Sequence, residues 1–267
     1  MPNTIIGTPA FTGYRSCVTA QGRVAWRPGL CWDSYDAYLF DIDGTLLRDP
    51  GRVHYNAFSK ACLEILGYPI SLEPVTVAGS TDPRILRDAF AAAGIADEVW
   101  RSHQPRLLEA ICTTVRQDVS QMQLTIMPGV VDTLRYLAAA GKCLGVATGN
   151  LESIGWLKLE QTGLREYFSF GGFSDAHEQR ADMIAAATVR ARELAGKAAS
   201  VVVVGDTPSD IAAARANHIP MIAVATGHFS FDRLLQDDPD ICAENLSALL
   251  AAYATAAATP EMHSEPA

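Results

Sequence analysis

With 267 residues, 49% of them hydrophobic, the chain can bury a full core and carry one domain with a sizeable insertion. Its 30 acidic against 21 basic residues, a formal charge of -9, and the lack of any Lys/Arg-rich stretch exclude a surface built to neutralise nucleic-acid phosphates or an anionic bilayer. A small molecule is the expected partner, with no nucleic acid and no membrane, and the chain is expected as a monomer or homodimer. The six cysteines form no CxxC pair, and Cys62, Cys112 and Cys143 fall in apolar patterns, which reads as reduced, buried thiols. No basic segment leads into a continuous apolar run, and no run approaches the roughly 18 residues of a bilayer span. The expected location is the cytoplasm.

Residues 1–34 mix Gly, Pro, Thr and aromatics without a sustained period and read as an irregular or hairpin-like extension of unassigned role. The first clear element is Ala37-Tyr-Leu-Phe40, an apolar run that ends in acids and Gly, as a buried parallel strand does. Residues 52–125 then show helical patterns over 54–66, 84–93 and 98–119 with no central strand, and read as a helical insertion. Three more apolar runs follow, at 143–147, 201–205 and 221–225, separated by helical patterns over 130–140, 152–162, 180–195 and 208–217. Alternating strands and helices predict an α/β fold with a doubly wound parallel sheet, its core formed by 35–51 and 126–254. The Ala/Thr/Pro-rich tail, 255–267, is expected to be disordered.

A short polar cluster follows each of three strands: Asp41-Ile-Asp-Gly-Thr45, Thr148-Gly-Asn150 and Gly205-Asp-Thr-Pro-Ser-Asp210. In a doubly wound sheet the carboxyl ends of neighbouring strands share one crevice, so these acids, glycines and hydroxyls converge. Crowded carboxylates need a cation, and an oxygen-only set suits Mg²⁺ better than zinc. The expected ligands are Asp41, the carbonyl of Asp43, and Asp206, with Asp210 orienting a ligand or a basic side chain from the next helix. A carboxylate beside Mg²⁺ can attack phosphorus, which makes Asp41 the expected nucleophile. Residue i+2 of an extended segment faces the same side, so Asp43 is placed to protonate the leaving oxygen and activate water. Thr148 Oγ and the N–H groups of Gly149 and Asn150 would hold phosphoryl oxygens.

Simpler readings compete with each cluster. A calcium loop starting at Asp41 fails because Arg52 stands at its twelfth position, where an acid belongs. Asp206 and Asp210 could merely cap a helix, and Thr148 to Asn150 could be an ordinary strand-to-helix turn. The histidines lack metal-ligand spacing, His54 and His177 being the two that could line a cleft, and Trp100 and Trp156 read as packing residues. No GxSxG elbow, GxxxxGK loop or GxGxxG after a strand is present.

These motifs resemble those of the haloacid dehalogenase-like superfamily: DxDGT, then a strand-terminal Ser/Thr, a basic residue, and GDxxxD, matched over roughly residues 36–250. The resemblance implies a Rossmann-like core, and the 52–125 insertion is similar to the helical cap of the phosphoglycolate-phosphatase-like branch. Gly79-Ser-Thr-Asp-Pro-Arg-Ile-Leu86 is similar to a cap segment of that branch, so Thr81, Asp82 and Arg84 are candidates for substrate or hinge contacts. The family's third motif is usually Lys-Pro, which is missing between Asn150 and Gly205. Arg180, at a helix start, is the expected substitute, offering phosphate a bidentate fork. Lys158 is the competitor, in a mid-helix context that reads as structural.

The expected function is a Mg²⁺-dependent phosphomonoester hydrolase acting on a small phosphorylated metabolite, phosphoglycolate-phosphatase-like, through an aspartyl-phosphate. A sugar phosphomutase using the same Asp41/Asp43 pair, or an inactive binding relative, are the alternatives. The second acid, Asp43, argues against a dehalogenase.

Overall fold

The computed structural model describes residues 13–257. The chain opens with a hairpin, β1 (Arg15–Thr19) and β2 (Gly22–Trp26), and then enters the sheet at β3 (Ala37–Phe40). A short strand β4 (Leu47–Arg48) leads into three helices, α1 (Val53–Leu66), α2 (Asp82–Ala92) and α3 (Asp97–Gln117). The chain returns through β5 (Thr125–Ile126), which pairs antiparallel with β4. It continues as α4 (Val130–Ala139), β6 (Cys143–Ala147), α5 (Glu152–Gln161), β7 (Phe170–Gly172), α6 (Arg180–Ala195) and β8 (Val201–Gly205). It ends as α7 (Pro208–Ala216), β9 (Met221–Val224), α8 (Phe231–Gln236), β10 (Ile241–Ala243) and α9 (Leu246–Ala257).

Among the described residues the main sheet has eight strands in the order β1-β2-β10-β9-β8-β3-β6-β7. From β10 to β7 every pairing is parallel, while β2 joins β10 antiparallel. The chain runs outward from β3 to β6 and β7, then crosses back to β8 on the other side of β3. That reversal puts a crevice at the carboxyl end of β3, between β6 and β8.

The strands are apolar on both faces because helices cover both faces. Tyr38, Phe40, Val202 and Val204 pack on one side with Leu134 of α4 and Leu249 of α9. Ala37, Leu39, Val201 and Val203 pack on the other with Met183 and Ile184 of α6. Each large apolar side chain buried in this way contributes about 1.5–3 kcal/mol.

The helical insertion has its own core, in which Phe58, Leu86, Phe90, Trp100, Leu107 and Ile111 pack with Leu151 and Ile154 at the start of α5. The cap is therefore seated on the same helix that begins after the Thr148 loop. Trp100 packs against Phe90, and Trp156 against Phe173.

The sheet is larger than its apolar runs suggest. Strands β7 and β10 have three residues each, and β7 is Phe-Gly-Gly, too short and too glycine-rich to show a strand pattern. The hairpin β1–β2 falls in the stretch read as irregular or hairpin-like, and it is stabilised by joining the sheet edge at β10, a long-range pairing that the local sequence does not display. The two-residue strands β4 and β5 tie the ends of the insertion together. Part of the 1–34 expectation and the tail beyond 257 lie outside the described residues, and helix α9 runs past the boundary placed at 254.

Candidate active site

Asp41 directly follows β3, and its N–H still donates to the Val204 carbonyl at 2.9 Å, so its backbone is held in the sheet ladder. The chain then turns sharply, the Ile42 carbonyl accepting from Leu46 at 2.9 Å and Leu47 at 3.0 Å. Ile42 is buried in the core while Asp41 and Asp43 both line one cavity of about 690 Å³. Gly44 sits at φ +89, where a Cβ would overlap the Asp206 carboxylate. The turn thus needs glycine on two counts: its backbone angle and the close approach of an acid.

The cavity wall brings together Asp41, Asp43, Thr148, Gly149, Asn150, Arg180 and Asp206 from the sheet side. Asp210 lies just behind it, fully buried. From the cap side come His54, Tyr55, Phe58, Ser80 and Asp82. The cap segment presses on the Thr148 loop: Asp82 N–H donates to the Gly149 carbonyl at 2.8 Å, and a Cβ on Gly149 would overlap the Ser80 carbonyl.

Asp41, Asp206 and Asp210 offer carboxylate oxygens within 4.8 Å of one another. Asp210 is committed elsewhere: Oδ1 takes the Arg180 Nε at 2.8 Å, and Oδ2 accepts from Thr207 N at 3.0 Å and Thr207 Oγ1 at 2.7 Å in a capping box. Asp206 Oδ1 accepts from Thr45 at 3.0 Å. Burial, opposed by Arg180 but reinforced by Asp210 and Asp43, pushes the Asp41 carboxyl up to about 6. Burial and the charges of Asp41 and Asp210 push Asp206 well above the usual carboxylate range. Two buried acids that resist ionisation and offer only oxygen donors are what a hard divalent cation relieves, so the donor set fits such an ion at Asp41 and Asp206.

The two basic candidates serve different acids. Arg180, at the first turn of α6 and 8% exposed, places Nη2 2.9 Å from Asp41 Oδ1 and 2.6 Å from Asp210 Oδ1. Burial alone would lower its pKa, but the two carboxylates outweigh it and hold the guanidinium charged. Lys158 corrects the sequence expectation that it is a structural mid-helix residue. It is 1% exposed, and Nζ donates to Asp43 Oδ1 at 2.8 Å and Oδ2 at 2.6 Å. Burial raises Asp43, but the charge and hydrogen bonds of Lys158, with His54 and Asn150, outweigh it and lower its pKa below the usual value. The signal that could have revealed Lys158 is its spacing: it lies four residues after Ile154 and seven after Leu151, on the stripe of α5 that faces the cap core.

Asn150 reaches the site by its side chain, donating to Asp43 Oδ2 at 2.8 Å and Thr148 Oγ1 at 2.7 Å. Its own N–H points back to Thr148 Oγ1 at 3.4 Å, not into the cavity as expected for a phosphoryl contact. Among the cap candidates, Asp82 lines the cavity, with Oδ2 3.1 Å from His54 Nε2 and accepting the Leu151 N–H at 2.9 Å. Thr81 and Arg84 do not line it. Thr81 is the N-cap of α2, its hydroxyl donating to the Glu178 carbonyl at 2.7 Å, and Arg84 points outward to Asp88, four residues on, at 2.8 Å. His177 is also outside the cavity wall, whereas His54 is in it.

The chain matches the family described as haloacid dehalogenase-like hydrolase over residues 38–224. It belongs to that family. This haloacid dehalogenase-like hydrolase is 26% identical over 212 residues to a phosphoglycolate phosphatase of Agrobacterium fabrum, covering 79% of this chain and 89% of that one. It is 29% identical over 197 residues to a phosphoglycolate phosphatase of Rhodospirillum rubrum, covering 72% and 80%. Its fold matches the solved structure of a haloacid dehalogenase-like family hydrolase from Streptococcus pneumoniae with a TM-score of 0.59 at 19% identity, over 82% of this chain and 99% of that one. Within the family the chain thus sits among phosphatases. No helix of the described residues is long and apolar enough to cross a membrane.

Proposed function

We propose that this hydrolase is a Mg²⁺-dependent phosphomonoesterase for a small phosphorylated metabolite, working through an aspartyl-phosphate on Asp41. The observation that carries the reading is the pair Asp41 and Asp43 on one cavity wall, the first backed by Arg180 and the second by Lys158. One carboxylate is set against a cation beside an acid cluster, the other against a lysine, which divides them into nucleophile and proton carrier.

Asp41 and Asp206, with the Asp43 carbonyl, would hold the ion, which supplies charge neutralisation between the nucleophile and the phosphoryl oxygens. The Asp41 carboxylate attacks phosphorus as the ester P–O bond breaks, and the leaving oxygen takes a proton that Asp43 binds as the anionic ester enters the cleft beside it. Asp43 then removes a proton from water as that water attacks phosphorus, the bond to Asp41 breaks and phosphate is released. Arg180 shields the approach of an anionic phosphoryl group to Asp41. Relatives acting on phosphoglycolate make that ester the first substrate to test.

Phosphate release from p-nitrophenyl phosphate and a panel of metabolite phosphates, with Mg²⁺ and after chelation, is the test. Turnover that needs the metal and disappears in Asp41→Asn is expected. Isomerisation of a sugar phosphate without phosphate release would move the chain to the phosphomutases, and binding without turnover would make it an inactive relative.

A further inference from the structure

The ammonium of Lys158 is enclosed. Lysine is almost never fully buried unless paired, because removing its charge from water costs several kcal/mol. A leucine or methionine would fill the same stripe of α5 between Ile154 and the turn at Thr162, so packing does not explain a lysine there. Its three N–H groups are surrounded by polar atoms: the Asp43 carboxylate oxygens at 2.6 and 2.8 Å, Asn150 Oδ1 at 2.8 Å, and His54 Nδ1 at 3.3 Å.

The His54 contact closes a chain across the domain junction. His54 Nδ1 lies 3.3 Å from the Lys158 ammonium, and Nε2 on the other side of the ring lies 3.1 Å from Asp82 Oδ2. Asp82 in turn accepts the Leu151 N–H at the start of α5. His54 and Asp82 belong to the cap, Lys158 and Asn150 to the core.

Asp43 is held from one side only. Its side chain stays 43% exposed toward the cavity, whereas that of Lys158 is 2% exposed. Asn150 adds a second donor to Oδ2, from the loop that also carries Thr148. A carboxylate fixed by a bidentate ammonium and an amide, with its free edge turned to the reacting centre, keeps one orientation.

We propose that Lys158 is a positioning residue for Asp43: it clamps the carboxylate at the leaving-group side of the cleft and, through His54, makes that clamp complete only with the cap seated. This rests on the phosphomonoesterase reading above. It assigns Lys158 a task different from that of Arg180, which faces Asp41.

The test compares wild type, Lys158→Met, Asp43→Asn and the double variant, with p-nitrophenyl phosphate as an ester needing little leaving-group protonation and an alkyl phosphate needing much. General acid catalysis contributes about 10²–10⁴-fold. Lys158→Met should lose on the order of 10²-fold or more with the alkyl ester and about tenfold or less with the aryl ester. Asp43→Asn should show the same skew, and adding Lys158→Met to it should cost nothing further. An equal loss on both esters, or losses that multiply in the double variant, would overturn the proposal and make Lys158 structural. Melting curves of each variant identify misfolding, and Lys158→Gln, with a polar end for Asp43, supplies the same ester ratio if Lys158→Met does not fold. A wild type that releases phosphate from neither ester defeats the phosphomonoesterase reading itself, an outcome distinct from the ester ratios.

Discussion

Arg180 Nη2 stands 2.9 Å from Asp41 Oδ1 and 2.6 Å from Asp210 Oδ1, so one guanidinium compensates two buried acids. Removing it strands both. Arg180→Ala is expected to cost roughly 3–5 kcal/mol of stability, as breaking a buried pair does. It should lower turnover of aryl and alkyl esters alike, because its partner is the proposed nucleophile and not the proposed proton carrier. Arg180→Lys should recover part of the stability but lose the fork that reaches both carboxylates. Denaturant melts and kcat on the two esters check this.

The raised pKa of Asp41 sets a pH dependence for the metal-free protein. Its folded value of about 6 exceeds the unfolded carboxylate value, so the folded state binds the extra proton. Stability from this group is therefore greatest in acid and falls as pH rises toward and through 6. A tenfold difference in proton affinity between the folded and unfolded states corresponds to about 1.4 kcal/mol. In EDTA, Asp41→Asn should raise the Tm by a few degrees at pH 8 and much less at pH 4.5. No pH-dependent gain would show that Arg180 already compensates the charge in full.

Magnesium should restore that lost stability. A ligand at about 100 times its Kd stabilises by about 2.7 kcal/mol, provided it binds only the folded state. Titrating Mg²⁺ into the chelated protein should raise Tm, and Asp206→Asn should abolish the rise while leaving a folded protein. A full Mg²⁺ response in Asp206→Asn would move the ion elsewhere.

Asp82 ties the cap to the core through the Leu151 N–H and the Gly149 carbonyl. Asp82→Ala removes the first bond and the carboxylate beside His54, at a cost of about 1–3 kcal/mol for the buried Leu151 N–H left unpaired. Hydrogen exchange should rise over residues 79–86 and at Leu151, and KM should rise more than kcat falls. Unchanged protection would show that the apolar contacts of Leu151 and Ile154 hold the cap by themselves.

Much of the fold was legible because its strands are buried on both faces. The run Val201-Val-Val-Val204 and its counterparts show as uninterrupted apolar stretches, three of the four followed by a polar cluster. Strands of three residues such as Phe170-Gly-Gly172 carry no such signal, since their pairing is supplied by the neighbour Gly145-Val-Ala147. Thr81 and Arg84 show the limit from the other side: the segment Gly79–Leu86 does reach the cleft, but the helix start at Asp82 spends one side chain on a cap and turns the other to solvent.

The sequence by itself determined which acids stand at strand ends, because strand, turn and helix start are local patterns. It also determined that these ends share a crevice, because alternating strands and helices permit few windings. Only the tertiary structure decided which base faces which acid. Lys158 and Asp43 are 115 residues apart, and their contact depends on the rotation of α5 against β3, set by the packing of Leu151 and Ile154 into the cap. That rotation, invisible along the chain, makes a lysine in a Lys-Leu-Glu helix the clamp on one acid of the pair and leaves Arg180 to the other.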